Sequence, residues 1–146
     1  MMTTEKLAEE LLTLGRILRG LSHPVKRAEM TPEQYWLLRV LSRIGPLSIG
    51  ELANELGIAM SSATSACKRL EKAGLLTRER RVEDERIVQV MLTEQGRAQI
   101  DLWRQRKREA LTQLLKVLDE REQQEFQHML ERVLEAAGAH EVVAER

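Results

Sequence analysis

The sequence predicts a mainly α-helical protein with a small β-hairpin wing: a winged helix-turn-helix head flanked by N- and C-terminal helices that form a dimerisation region. Three observations carry that prediction. Residues 48–74 read as two short helices joined by a glycine turn, residues 76–92 change to a strand-like period of two, and both ends are long amphipathic helices. Abundant Leu, Ala, Glu and Arg, with few aromatics and three prolines, favour helix throughout. A length of 146 residues fits one domain with a dimerisation extension.

The first helix spans residues 4–21, with Leu7, Leu11, Leu14, Leu18 and Leu21 spaced by four and three like the seam of a coiled coil. Such a seam asks for a second copy to cover it. Gly15 lies inside this helix at a cost of about 1 kcal/mol relative to alanine. Ser22, His23 and Pro24 end it, and residues 22–30 form a linker. Thr31, Pro32 and Gln34 open the next helix as cap, first-turn proline and capping-box partner. Its positions Leu37, Leu38, Leu41 and Ile44 are expected to face the core, and Gly45-Pro46 stops it.

Ser48 and Glu51 repeat the capping-box spacing, and Ile49, Leu52, Ala53 and Leu56 then form one buried stripe that ends at Gly57. A further helix runs from about Ala59 to Ala73. Ala63, Ala66, Cys67 and Leu70 share one side, opposite Ser61, Ser65, Lys68 and Lys72. Gly74 is placed to leave the helix, with Leu75 folding back on Leu70 in a Schellman closure. The second helix of such a pair can enter the major groove of DNA.

Beyond Gly74, residues 76–81 and 87–92 are expected as strands, with Val82 to Arg86 as the hairpin tip. Thr93 caps a long helix from 94 to about 118, with Ile100, Trp103, Leu111, Leu114, Leu115 and Leu118 apolar. Asp119 caps a last helix to about Ala137 that carries Phe126, Met129, Leu130, Val133 and Leu134 on one stripe. The expected division is therefore a DNA-binding region over 31–93 and a dimerisation region from 1–30 with 94–146.

The formal net charge is zero, so no global basic field advertises a nucleic-acid partner. Its distribution is uneven. Between Ala59 and Leu92 the cations Lys68, Arg69, Lys72, Arg78, Arg80, Arg81 and Arg86 exceed the carboxylates, whereas residues 119–146 are strongly acidic and include Glu141 and Glu145. One cysteine excludes an internal disulfide framework. Without a signal-peptide pattern or long apolar run, a soluble cytoplasmic protein with no membrane partner is expected.

No Gly-rich phosphate loop, activated nucleophile or paired carboxylates in an apolar frame points to an enzyme, and no cofactor is implied. His23, His128 and His140 are scattered and lack metal-ligand spacing. Cys67 falls on the apolar helix face, where cysteine is usually an inert small hydrophobe.

Gly74, Leu75 and Arg78, then Asp84, Glu85 and Arg86 in an Asp-x-Arg pattern, then Leu92, Thr93 and Gly96 opening the long helix, occur together and in that order. By these residues the chain resembles the MarR family of bacterial transcriptional regulators over almost its whole length. The resemblance implies a homodimer that binds double-stranded DNA at a pseudo-palindromic operator. It further implies a repressor released by a small hydrophobic, often phenolic, effector.

Carried over residue by residue, Ser61, Ser62, Thr64, Ser65 and Lys68 would read bases and bind phosphates, with Arg69, Lys72, Arg78 and Arg80 adding cations to the same interface. Asp84 would aim Arg86 at the minor groove. Tyr35, Trp36 and Trp103 are the candidate effector-binding residues, between the dimerisation helices and the head. The family's oxidant sensors place a cysteine in or near the first helix, where this chain has none. Two other classes share the fold: a winged helix serving as a protein-interaction module, and a helical dimer that binds small molecules without a DNA partner.

The sequence also departs from the family. Ala59 stands where a capping Ser or Thr is usual, and Ser65 where a base-reading Arg often stands. Hydroxyls discriminate bases less sharply than a bidentate guanidinium. Selection from a random duplex library is therefore expected to return a short, degenerate consensus; a long, sharp one would contradict this reading of the helix.

Overall fold

The computed structural model of the chain describes residues 1–138. His140, Glu141, Glu145 and Arg146 lie outside the described residues. The elements follow the capping signals closely. Helix α1, Thr4–Ser22, starts where the Thr3 hydroxyl accepts the Lys6 amide at 3.1 Å. Helix α2, Pro32–Ile44, has its full capping box, with Thr31 and Gln34 exchanging bonds of 3.2 Å. Leu37, Leu38 and Leu41 are buried as expected, but Ile44 is 48% exposed. It stands on the last turn, where the chain leaves through Gly45 at φ 102°.

A two-residue strand, β1 (Leu47–Ser48), comes next and was not expected, being too short to show any periodicity. Ser48 also caps α3, Ile49–Leu56, through a complete box with Glu51 at 3.1 Å in both directions. Gly57 takes the left-handed conformation, φ 64°, that lets the helix stop at once. Helix α4, Met60–Lys72, has no side-chain cap at Ala59. Its far end closes as a Schellman motif: the Leu75 amide donates to the Leu70 carbonyl at 2.9 Å and the Gly74 amide to Glu71 at 3.0 Å.

Strands β2 (Leu76–Arg80) and β3 (Val88–Leu92) form the wing, each one residue shorter than expected. Backbone pairing nevertheless continues one step, with the Arg81 amide donating to the Ile87 carbonyl at 2.8 Å. The sheet order is β1-β3-β2, all antiparallel, with Leu47 and Arg78 opposite Val90 on either side. Val90 is fully buried at the centre. It joins Leu38, Leu52, Leu70, Ile100 and Trp103 in a single apolar core, each such large side chain contributing about 1.5–3 kcal/mol of transfer free energy.

Thr93 locks the wing to the helix after it. Its hydroxyl donates to the Gly74 carbonyl at 2.6 Å and accepts the Gly96 amide at 3.0 Å, while its own amide donates to the Leu75 carbonyl at 3.1 Å. Gly96 is buried, and a Cβ there would collide with the Leu75 carbonyl oxygen. Helix α5 is Glu94–Leu115, ending three residues before the expected 118. Residues 116–118 instead form tight turns, and the Gln123 side chain takes the freed carbonyls of Leu115 and Leu118 at 3.1 Å each. Asp119 then caps α6, Glu120–Ala136, through a box with Glu122.

The chain divides into two compact units, Met1–Arg108 and a second that begins at Glu109. In the first, the Leu7, Leu11 and Leu21 side chains of the α1 seam remain about half exposed. In the second, α6 has no buried residue, and its stripe of Phe126, Met129, Leu130, Val133 and Leu134 is open. Among the described residues no helix is long and apolar enough to cross a membrane.

Gly96→Ala is expected to lower unfolding stability by about 1–3 kcal/mol, the usual cost of overpacking, measured by urea denaturation. Unchanged stability would mean that the approach of α5 to the Leu75 carbonyl does not constrain the fold.

Candidate nucleic-acid interface

Helix α4 presents two chemically opposite faces. Ala63, Ala66, Cys67 and Leu70 are buried, while Ser61, Ser62, Ser65, Lys68, Arg69 and Lys72 are exposed. Thr64 sits between them, half-buried, and its hydroxyl donates to the Met60 carbonyl at 2.9 Å. That bond uses its only proton, so Thr64 keeps acceptor capacity alone.

At the wing tip Arg86 is held by Asp84 through two parallel bonds, Nε to Oδ1 at 3.0 Å and Nη2 to Oδ2 at 3.1 Å. The Arg86 amide adds a third, to Oδ1 at 3.1 Å. This is the fork-to-fork geometry expected of a guanidinium and carboxylate two residues apart. The Arg86 contact pulls the Asp84 carboxyl below its ordinary range and raises Arg86 in turn. Even so, the Arg86 side chain is 90% exposed. It is oriented without being covered.

The other wing arginines are engaged within the fold. Arg80 donates to the Glu85 carbonyl at 2.8 Å, Arg78 pairs with Glu71 of α4, and Arg81 pairs with Glu51 of α3. Arg81, first, and then the Ser48 amide and hydroxyl pull the Glu51 carboxyl down to about 2. The Glu51–Arg81 and Glu71–Arg78 pairs were missed by sequence reasoning. Their partners lie 30 and seven residues apart on different elements, which no local spacing rule connects.

Tyr35, Trp36 and Trp103 come together as a ring cluster centred on Tyr35, whose centroid is 5.1 Å from Trp36, 5.2 Å from Trp103 and 4.3 Å from His23. Trp103 is buried in the core, and its indole N–H finds no acceptor among the described residues. Trp36 borders an open cavity of about 170 Å³ with Pro32, Glu33, Leu56 and Ile58. Burial, then the charges of Arg19, Lys107 and Lys26, hold His23 below its ordinary value.

A larger cavity of about 310 Å³ lies elsewhere, between Leu41, Ser42, Met91, Leu92, Arg97 and Ile100. On α5, Arg106 pairs with Glu29 at 2.9 Å and Arg104 lies 3.5 Å from Asp101. Among the described residues no group of three His, Cys, Asp or Glu side chains could hold a metal ion.

The model of the MarR family matches residues 30–88. The chain is 25% identical over 117 residues to the HTH-type transcriptional repressor MdtR of Bacillus subtilis, a match covering 80% of this chain and 76% of that one. Identity rises to 38% over 72 residues of the HTH-type transcriptional regulator FarR of Neisseria gonorrhoeae, where the match spans about half of each protein. In three dimensions it superposes with a TM-score of 0.72 on an S. aureus MepR mutant bound to an oligodeoxyribonucleotide. The two are 18% identical, and the superposition covers 94% of this chain and 99% of that one.

Cys67 is fully buried, and burial pushes its thiol up to about 11. Since only the thiolate reacts, Cys67 in the native protein at pH 7 is expected to resist Ellman's reagent and to react only after unfolding. Rapid stoichiometric labelling of folded protein would contradict this placement.

Proposed function

We propose that this chain is a regulator of the MarR family, whose model matches residues 30–88, that it controls transcription as a homodimer bound to a pseudo-palindromic operator, and that it represses by occupying the site. Residues 31–93 bind the DNA, while 1–30 and 94–146 hold the two copies together. The half-exposed leucine seam of α1 and the open stripe of α6 supply the apolar surface for that pairing. Two recognition helices then enter successive major grooves about 34 Å apart.

The observation that carries the reading is the Asp84–Arg86 fork: a guanidinium bonded twice to a carboxylate yet 90% exposed, at the tip of the wing. A narrow A·T-rich minor groove attracts such an arginine. Ser61, Ser62, Thr64 and Ser65 supply hydroxyl contacts to base edges, while Lys68, Arg69 and Lys72 meet phosphates. Arg78, paired with Glu71 and only 32% exposed, contributes less to counterion release than Arg86, which is 90% exposed. The oligodeoxyribonucleotide complex of the similarly folded MepR mutant supports a nucleic-acid partner for this architecture.

The effector is a small hydrophobic or phenolic molecule that binds against the ring cluster of Tyr35, Trp36 and Trp103, beside the open cavity that Trp36 borders. It acts by favouring a dimer with a different head separation, which requires unequal affinity for the two states.

Arg86→Ala is expected to weaken binding to a selected duplex and to lower the slope of log K against log salt by about one unit. Fluorescence anisotropy over a series of salt concentrations measures both. An unchanged slope would remove Arg86 from the interface.

A further inference from the structure

Arg86 can find the minor groove only if the ribbon that carries it is held at the right angle to α4. The wing is two-stranded beyond the point where β1 stops, and a two-stranded ribbon is marginal in water and twists more than a wider sheet. Its neck is the Arg81–Ile87 pair, joined by the Arg81 amide at 2.8 Å. The Arg81 side chain leaves that neck and reaches back across 30 residues to Glu51.

Glu51 is placed to resist movement. It is the third residue of α3, and the oxygen that receives Arg81 also accepts the Ser48 amide at 3.1 Å. Ser48 itself lies in β1, opposite Gln89 of β3. One carboxylate thus stands where β1, the start of α3 and the wing neck meet. Arg81 is also the less accessible arginine, its side chain 25% exposed against 90% for Arg86. Covered as well as paired, it is poorly suited to serve as a phosphate contact.

We propose that Glu51, through its ion pair with Arg81, is a positioning residue for the wing and sets how strongly Arg86 prefers A·T-rich DNA outside the bases that α4 reads. The proposal rests on the reading that wing and α4 bind DNA together. It assigns to Glu51 and Arg81 a part in sequence preference, although neither side chain touches DNA.

The test uses the full-length protein and a duplex selected by the wild type, prepared with A·T or G·C pairs in the segment under the wing. Glu51→Gln suits the purpose because glutamine also serves in a capping box, so α3 keeps its start. Arg81→Gln breaks the same link from the other side and leaves α3 untouched. Each variant is expected to reduce the A·T-over-G·C flank preference by about three- to fivefold, the scale of a partly exposed ion pair. The double variant should lose no more than either single one, because all three break one link. The ranking of substitutions under α4 should stay as in the wild type.

Full flank preference in Glu51→Gln and Arg81→Gln, or losses that multiply in the double variant, would overturn the proposal. Arg86→Ala is run beside them. If it keeps the wild-type flank preference, the wing reading itself fails and the positioning role falls with it. If Arg86→Ala loses the preference while both link variants keep it, only the positioning role is overturned.

Discussion

The fold turns on Thr93 and the two carbonyls it faces. Its hydroxyl and amide tie the Gly74 and Leu75 carbonyls, at the end of α4, to the last residue of the hairpin and to the first turn of α5. Three elements that could otherwise rotate about their connections are thereby joined at a single residue. Gly96 makes the joint possible, since only a residue without a side chain admits the Leu75 carbonyl this close. The angle between α4, the wing and α5 therefore depends on the Thr93 hydroxyl and amide and lies apart from the exposed face of α4.

On that frame, charge is arranged to orient more than to attract. A formal net charge of zero leaves little long-range steering, and much of the wing's positive charge is matched within the fold. Arg78 is paired with Glu71 and Arg81 with Glu51, while Arg80 donates to a backbone carbonyl and keeps its charge. Arg86 is paired as well, but its carboxylate lies beside it on the same tip and leaves the guanidinium in solvent. In the proposed regulator, affinity then depends on a few well-placed contacts, with the hydroxyl face of α4 adding modest discrimination.

How much of this was legible in the sequence depends on the range over which each interaction acts. The capping boxes at Thr31 and Ser48, the cap at Asp119 and the Schellman turn at Gly74 involve residues three to five apart, and each formed as its residues implied. The Asp84–Arg86 fork spans two residues and was readable for the same reason. Strand β1 was not legible because two residues show no period, and its existence depends on β3 more than forty positions later. Nor were the Glu51–Arg81 and Glu71–Arg78 pairs, which exist only once helices and wing have met. Ile44 was misjudged because its stripe continues beyond the surface that α2 has to cover. Of the candidate site, the α4 face and the wing tip could be read from spacing; the support beneath them could not.

The most direct test of the account is hydroxyl-radical footprinting of the wild-type protein on a duplex it has selected. If wing and recognition helix act as one unit in each copy of a dimer, the sugars flanking two major grooves about one helical turn apart will be protected. Each outer minor groove will add a further protected patch, the whole pattern being symmetric about the centre. Protection of one groove alone, or protection that stops at the major grooves with the outer minor grooves open, would contradict it.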